Sequence, residues 1–467
     1  LYRMLKLYNT FTKSLENLES TDSDIKIYLC GPTVQSSPHI GHGRSAVVFD
    51  FMVRYIKYSG MNVIFARNIT DIDDKIIEKS IEENISYKEL GDRVTKEFKD
   101  SYDKLNCLTP DFEPKATETI DQMIDLIDDL IRKDYAYVTK SGVYFDVSKY
   151  DSYLELSGRS FDEVLSGTRV NIEEDKKNSE DFALWKISKE NEPSWKSPWG
   201  NGRPGWHIEC SAMIHDIFKG EIDIHCGGND LIFPHHENER AQSTSAFSHN
   251  FVKHWVHNGM INFSGKKMSK SEGNSKFLAE YIDNYGGNVL RYFFLRANYR
   301  KPQEFSESLL EESKVTFNNI ESLISGVEAG LEDSNLEKMF NDAMNDDLNT
   351  PKFLGDMYEY INKNKNGNHT QFIKTKSTIK YLFEILGFVF EDKEQKVDIK
   401  LLENILTDQN IQIENDINVS INKFIAKRNE YRNNKEFDKA DYMRNRLDEI
   451  GIVIEDGNES GWRWKNS

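Results

Sequence analysis

The stretch KIYLCGPTVQSSPHIGHGRSAVVFDFMVRYIKYSG, Lys26 to Gly60, decides the fold. It opens as a short apolar strand that stops at Gly31-Pro32. After a polar turn, apolar residues recur at helical spacing until Gly60. The next run, NVIFARNITDIDDKIIEKS from Asn62 to Ser80, repeats the order of strand, polar turn and helix. Two such units in succession predict a Rossmann-like, doubly wound parallel sheet, with ligands at the carboxyl ends of its strands.

Outward from this frame the pattern changes between Pro110 and Trp195. A helical stretch, TETIDQMIDLIDDLIRK, precedes YAYVTKSGVYFDV, two alternating runs joined by Ser-Gly that read as a hairpin. An inserted α+β subdomain is expected here. EIDIHCGGNDLIF then restores the α/β pattern, and FVKHWVHNGMINFSGKKMSKSEG supplies a further strand and a lysine-rich loop between glycines. Beyond Phe277 the chain reads as mostly helical, and GIVIEDGNESGWRWK closes it as a small strand pair. The expected organisation is therefore an α/β domain in two halves, 4–110 and 196–263, split by the insertion at 111–195. It is followed by 264–315, a helical region 316–410 and a small mixed domain 411–467.

The length of 467 residues accommodates several domains, and no apolar run approaches the ~18 residues of a membrane helix. No charged-then-apolar leader is read, so a cytoplasmic protein without membrane association is expected. Four scattered cysteines, Cys30, Cys107, Cys210 and Cys226, are too few for a disulfide framework and are expected to be thiols or metal ligands. A net charge of −18 argues against a surface that grips nucleic acid everywhere, while leaving room for local basic patches.

HIGH, His39 to His42, lies where the first strand turns into its helix. Backbone N–H groups there attract anions, and two histidines one turn apart can hold a phosphate. KKMSKS, Lys266 to Ser271, offers three ammonium groups on a loop after a later strand. The two motifs in this order resemble the class I aminoacyl-tRNA synthetases. The chemistry fits: a carboxylate attacking the α-phosphate of ATP builds charge that His and Lys donors stabilise, without a nucleophilic side chain. In DLIFPHHENERAQ, Asp230 to Gln242, Pro234 at a first helical position would set His235 and Glu239 at i, i+4 on one face. His236 with Glu239 at i, i+3 is equally allowed. Cys30, at a strand end, and Cys210, in GWHIECSAM, would complete a zinc set of thiolates, imidazole and carboxylate.

YLCGPTV, HIGH, RNITDIDDKII, GRPGWHIECSAM, DLIFPHHENE, GKKMSKS and AMNDDLNTP follow the pattern of the cysteinyl-tRNA synthetase family, from about Met4 to the closing GWRW. That resemblance implies cysteine, ATP with Mg2+ and tRNA(Cys) as substrates, one zinc ion per chain that selects the thiol, and a monomer. It implies Cys30, Cys210, His235 and Glu239 as the zinc ligands, with weakened Glu239 coordination to admit a fifth, substrate sulfur. It implies His39, Gly41, His42, Lys267, Ser269 and Lys270 around ATP, with His39, His42, Lys267 and Lys270 catalytic. Gly31, Thr70, Trp206 and Asp230 would surround the amino acid. Residues 264–315 would carry the loop and stem-contact helices, 316–410 a tRNA-binding bundle, and 411–467 an anticodon-reading domain using Arg444, Trp462, Arg463 and Trp464. Gln35, where the family usually has Tyr, and Cys226, commonly Gly, depart from the pattern, and Cys107 has no assigned role. The competing expectations are a relative that ligates cysteine to a small amine and a non-catalytic RNA-binding relative; intact His39, His42 and Lys270 speak against the latter.

Overall fold

The computed structural model describes residues 4–19, 23–163, 175–247, 249–263, 277–390, 399–412, 414, 417–455 and 461–464. The chain forms two compact units, Leu1–Phe317 with Ala329–Val389, and Asn318–Glu328 with Phe390–Ser467.

In the first unit a hairpin that the sequence reading did not anticipate, β1 (Lys6–Asn9) and β2 (Ser14–Asn17), precedes the central strand β3 (Asp24–Leu29). The nineteen residues of α1 (Ile40–Tyr58) follow, then β4 (Asn62–Arg67), α2 (Asp74–Glu82) and α3 (Tyr87–Lys104). Helix α1 is apolar on most of its circumference and is correspondingly buried, from Ile40 through Ile56. Arg44, in its second turn, is fully buried. The guanidinium donates to the carbonyls of Gly259, Met260, Asn298, Tyr299 and Lys301, so five backbone acceptors stand in for a counter-ion.

The insertion contributes α4 (Ile120–Arg132) and an antiparallel sheet of β5 (Ala136–Val138), β6 (Gly142–Phe145), β7 (Phe182–Ile187) and β8 (Gly202–Pro204). β5 and β6 form the hairpin read from the sequence. The α/β layer resumes with α5 (Trp206–Phe218), β9 (Ile222–Gly228), α6 (Glu237–Ala246) and β10 (Val252–Asn258). The main sheet has the order β10-β9-β3-β4 and is parallel throughout, with Tyr28 opposite His225 and Leu29 opposite Cys226. The point where β3 meets β9 joins two strands distant in sequence, and such a switch point leaves a crevice at the carboxyl ends. Short parallel strands β11 (Ile261–Phe263) and β12 (Gln303–Phe305) follow, and helices Ser334–Met344, Thr350–Asn364 and His369–Ile385 complete the unit.

The second unit packs helices Ile399–Thr407, Ile417–Asn433 and Phe437–Glu449 with the closing hairpin β13 (Ile452–Glu455) and β14 (Gly461–Trp464). Leu402, Ile405, Phe424, Met443, Leu447 and Ile452 form its core.

Candidate active site

Cys30 follows the last residue of β3, and its N–H donates to the Cys226 carbonyl at 3.1 Å. Gly31 comes next, its N–H on Asn68 Oδ1 at 2.8 Å. A Cβ at Gly31 would sit 1.6 Å from the Asn68 carbonyl oxygen, so only glycine lets the strand ends approach this closely. Cys210 enters from α5, with Sγ 3.7 Å from Cys30 Sγ. His235 and Glu239 come from the start of α6. Phe233 is extended and joined to Pro234 by a cis peptide, a π-type turn spans Ile232–His236, and α6 runs on from Glu237. The backbone is helical beyond Phe233, so i, i+4 spacing holds and His235 Nε2 lies 3.0 Å from Glu239 Oε1.

Donor atoms of Cys30, Cys210, His235 and Glu239 all lie within 4.8 Å of one another. Two sulfurs each ~2.3 Å from a tetrahedral ion stand about 3.8 Å apart, close to the separation found here. Cys30 Sγ to Glu239 Oε1, at 3.5 Å, suits the same geometry. Each outer ligand atom is also supported: His207 Nδ1 lies 3.0 Å from His235 Nδ1, and His225 Nε2 lies 2.8 Å from Glu239 Oε2. The donor set, its spacing and its supports fit a metal ion of zinc's character.

Charge favours a cation here. Burial works to protonate Glu239, yet His225 and His235 hold its carboxyl down to about 2. Burial works to neutralise His235, yet Glu239 and Cys210 hold it up to about 10. A hydrogen bond from Cys30 brings the Cys210 thiol down to about 6, whereas burial and the neighbouring Cys210 push Cys30 well up. With both thiols deprotonated and His235 neutral, as ligation requires, the four donors carry three negative charges, which a divalent ion largely offsets.

A second group, Cys30, His225, His236 and Glu239, meets the same distance limit. Neither His236 nor His225 has a role predicted from the sequence. His225 was legible in principle, as a polar residue at the carboxyl end of the apolar strand IDIHCGG. His236, fully buried beside His235, was not separable by spacing. Of the remaining cysteines, Cys226 is fully buried in β9, and Cys107 takes a long contact from Arg291 Nη1 at 3.9 Å.

Of the residues expected around the amino acid, Trp206 opens α5 with its ring centroid 4.3 Å from that of His235. Thr70 is buried and donates to Glu209 Oε2 at 3.2 Å, while burial raises that carboxyl well above its usual range. Asp230 is exposed on the turn Asn229–Leu231.

At the other corner of the sheet edge, His39 is the N-cap of α1. Its Nδ1 accepts from Gly41 N–H at 3.1 Å, and His42 Nδ1 accepts from His39 N–H at 3.1 Å. Both Nδ1 atoms are acceptors, so both rings carry their proton on Nε2 as donors. Burial and His39 keep His42 well below its ordinary value, so it is a neutral donor. Gln35 lies half-buried in the preceding turn, its N–H on the Thr33 carbonyl. Lys267, Ser269 and Lys270 lie outside the described residues. In the second unit Arg444 is exposed on the helix Phe437–Glu449, Trp462 packs on the core with Nε1–H donating to Asn422 Oδ1 at 2.9 Å, and Arg463 and Trp464 lie in β14.

The chain is similar to known proteins along nearly its full length. Residues 16–315 match the family model for the tRNA synthetases class I (C) catalytic domain, and 339–391 match the DALR domain. A cysteine–tRNA ligase of Thermodesulfovibrio yellowstonii is 41% identical, with 97% of this chain and 98% of that one covered. A cysteine–tRNA ligase of Glaesserella parasuis serovar 5 is 40% identical, with 98% and 100% covered. Among solved structures, Mycobacterium tuberculosis methionyl-tRNA synthetase in complex with methionyl-adenylate shares the fold at a TM-score of 0.58 and 15% identity, covering 78% of this chain and 90% of that one. A putative arginyl-tRNA synthetase of Campylobacter jejuni does so at 0.54 and 16%, covering 80% and 95%. An α/β sheet with a thiol-rich donor cluster at its switch point, a histidine-capped helix beside it and these relatives have one reading: the chain belongs to the cysteinyl-tRNA synthetases of class I.

Proposed function

We propose that the chain activates L-cysteine with ATP and transfers it to the terminal adenosine of tRNA(Cys), selecting the substrate by its sulfur. The observation that carries this reading is the convergence of Cys30, Cys210, His235 and Glu239 at the carboxyl end of β3, in a chain about 40% identical to cysteine–tRNA ligases. One zinc ion held by these four residues would supply a preference for thiolate over hydroxyl that pocket shape alone gives poorly, so serine is rejected without an editing site. Glu239 is shared between His235 and His225, which supports its role as the weakest of the four ligands. Gly31, Thr70, Trp206 and Asp230 are proposed to position the amino acid.

The cysteine carboxylate attacks the α-phosphorus of ATP, forming the acyl–phosphate bond, and pyrophosphate departs with the electron pair of the broken P–O bond. His39 and His42 donate Nε2–H to the phosphates beside the N-terminus of α1, where Gly41 keeps the backbone open. Lys267, Ser269 and Lys270 hold the triphosphate with Mg2+ as charge builds on it. The 2'-hydroxyl of the tRNA's last adenosine then attacks the adenylate carbonyl and AMP leaves. Arg444, Trp462, Arg463 and Trp464 are proposed to bind unpaired tRNA bases, with 316–410 as the tRNA-binding bundle and 411–467 as the anticodon reader. The protein is proposed to act as a cytoplasmic monomer, where none of its four cysteines is drawn into a disulfide.

Charging of an unmodified tRNA(Cys) transcript with labelled cysteine tests this. Accumulation of cysteinyl-tRNA supports it. Cysteine-dependent ATP consumption without charging would point to a small-amine acceptor, and neither activity in a folded, zinc-loaded chain would end the proposal.

A further inference from the structure

A chain of buried hydrogen bonds leads away from the donor cluster and has no part in the reaction as set out above. His236 Nε2 lies 3.3 Å from Cys30 Sγ, His236 Nδ1 lies 2.8 Å from His257 Nε2, and His257 Nδ1 lies 2.8 Å from Thr10 Oγ1. His236 and His257 are both buried, and Thr10 is half-buried at the end of β1. The space for His236 is built: a Cβ at Gly227 would press on its Cε1 at 2.8 Å.

We infer that His236 is a hydrogen-bond donor to the Cys30 thiolate, locked in that direction by His257 and Thr10, and that this chain tunes the cluster to accept a substrate sulfur. The inference rests on Cys30 being a metal ligand, as proposed above.

The direction follows from proton counting. A thiolate can only accept, so His236 carries its proton on Nε2. A neutral imidazole has one N–H, so His236 Nδ1 accepts and His257 donates from its own Nε2. His257 Nδ1 must then accept, and the Thr10 hydroxyl supplies that proton. Every nitrogen of both rings is engaged, and one choice of proton at the sulfur sets the rest. Both rings are enclosed, His236 at 0% and His257 at 3% exposure, and burial favours the neutral form of each.

The purpose follows from charge. Two thiolates and a carboxylate already outweigh a divalent ion, and a substrate thiolate adds to the excess. An N–H on Cys30 Sγ, and His225 on Glu239 Oε2, draw electron density from two of the three anionic ligands. Outer partners of metal ligands typically change affinity or activity by ~10–100-fold, so the effect is large enough to matter. His236 is on this account a positioning and tuning residue and not a ligand, although it belongs to the second compact donor group.

The test uses the full chain with cobalt(II) in place of zinc, reading the near-ultraviolet thiolate-to-cobalt band and cobalt per chain. In His257→Phe the band should move to lower energy with one cobalt retained, because a thiolate relieved of its N–H donor gives up charge more readily. His257→Gln, whose amide N–H reaches toward His236 Nδ1, should bring the band most of the way back. Thr10→Val should shift it less and in the same direction, and it carries the test if His257→Phe does not fold. An unmoved band in the folded variants would overturn the inference while leaving the metal site standing. Loss of cobalt from folded His257→Phe would overturn it in favour of His236 as a ligand. A parent protein with no thiolate-to-cobalt band would remove the metal reading itself, and this inference with it.

Discussion

Two histidine-rich corners share the carboxyl edge of one sheet, and they are built on opposite plans. At the α1 corner, His39 and His42 accept backbone N–H groups on Nδ1, so the first turn of the helix fixes both rings as neutral donors. At the switch point between β3 and β9, the donors come from the end of β3, from α5 and from the turn that opens α6, and they hold one another through hydrogen bonds and unlike charges. One corner is a local product of helix capping, and the other exists only when the whole sheet is assembled. On the proposed reading the first would offer hydrogen bonds to an anion, and the second would offer anionic ligands to a cation.

Removing one donor from the assembled corner should therefore have the largest effect. Cys210→Ser is expected to lose stoichiometric zinc and to lower cysteine-dependent ATP–pyrophosphate exchange by more than about a hundredfold. Metal analysis of the purified variant checks it, and full zinc content would remove Cys210 from the ligand set. The opposite corner should fail differently. His42→Ala and Lys270→Ala are each expected to keep one zinc while slowing adenylate formation roughly a hundredfold or more, the scale of losing one preorganised donor to a developing charge. Single-turnover adenylate formation alongside metal analysis separates the two corners; a His42 variant that also lost zinc would join them.

These two plans also explain what could be read in the sequence. The strand–turn–helix order was plain from apolar periodicity because it is local, and the same local spacing allowed Glu239 to pair with His235 at i, i+4 or with His236 at i, i+3. Assigning His235 over His236 needed a family resemblance, since both are legal on a helix face; in the folded chain His236 is turned toward His257 and the Cys30 sulfur. His225 was missed because a polar residue at the carboxyl end of an apolar strand marks a candidate without saying what it faces. Its meaning appears only when β9 lies beside β3. The β1–β2 hairpin escaped notice for a related reason: its short strands matter through Thr10 and through the pairing of Tyr8 N–H with Asp347, 339 residues away.

Smaller effects sharpen the contrast. Gly31→Ala should destabilise the fold by about 1–3 kcal/mol or more, because the Asn68 carbonyl must move to admit the methyl group. A fall in Tm in both zinc-loaded and metal-free protein is expected, and an unchanged Tm would show the strand ends to be more yielding than described. The metal-free cluster should also leave a mark on acid stability. Glu239 has a folded-state value of about 2, below its ordinary value of 4.5, so its contribution is present above about pH 4.5 and is lost as pH falls toward about 2. In metal-free Glu239→Gln, the decline of stability across that interval should be flatter by about one proton's worth. Parallel acid limbs for variant and parent would mean that His225 and His235 do not hold the carboxylate as described.

The measurement closest to the central claim is ATP–pyrophosphate exchange by the zinc-loaded chain with cysteine or with serine as the amino acid. A sulfur-reading site predicts robust exchange with cysteine and exchange with serine lower by on the order of 10⁴ or more, since direct recognition of the distinguishing atom gives discrimination of that size. Comparable exchange with both amino acids, or none with cysteine, would contradict it.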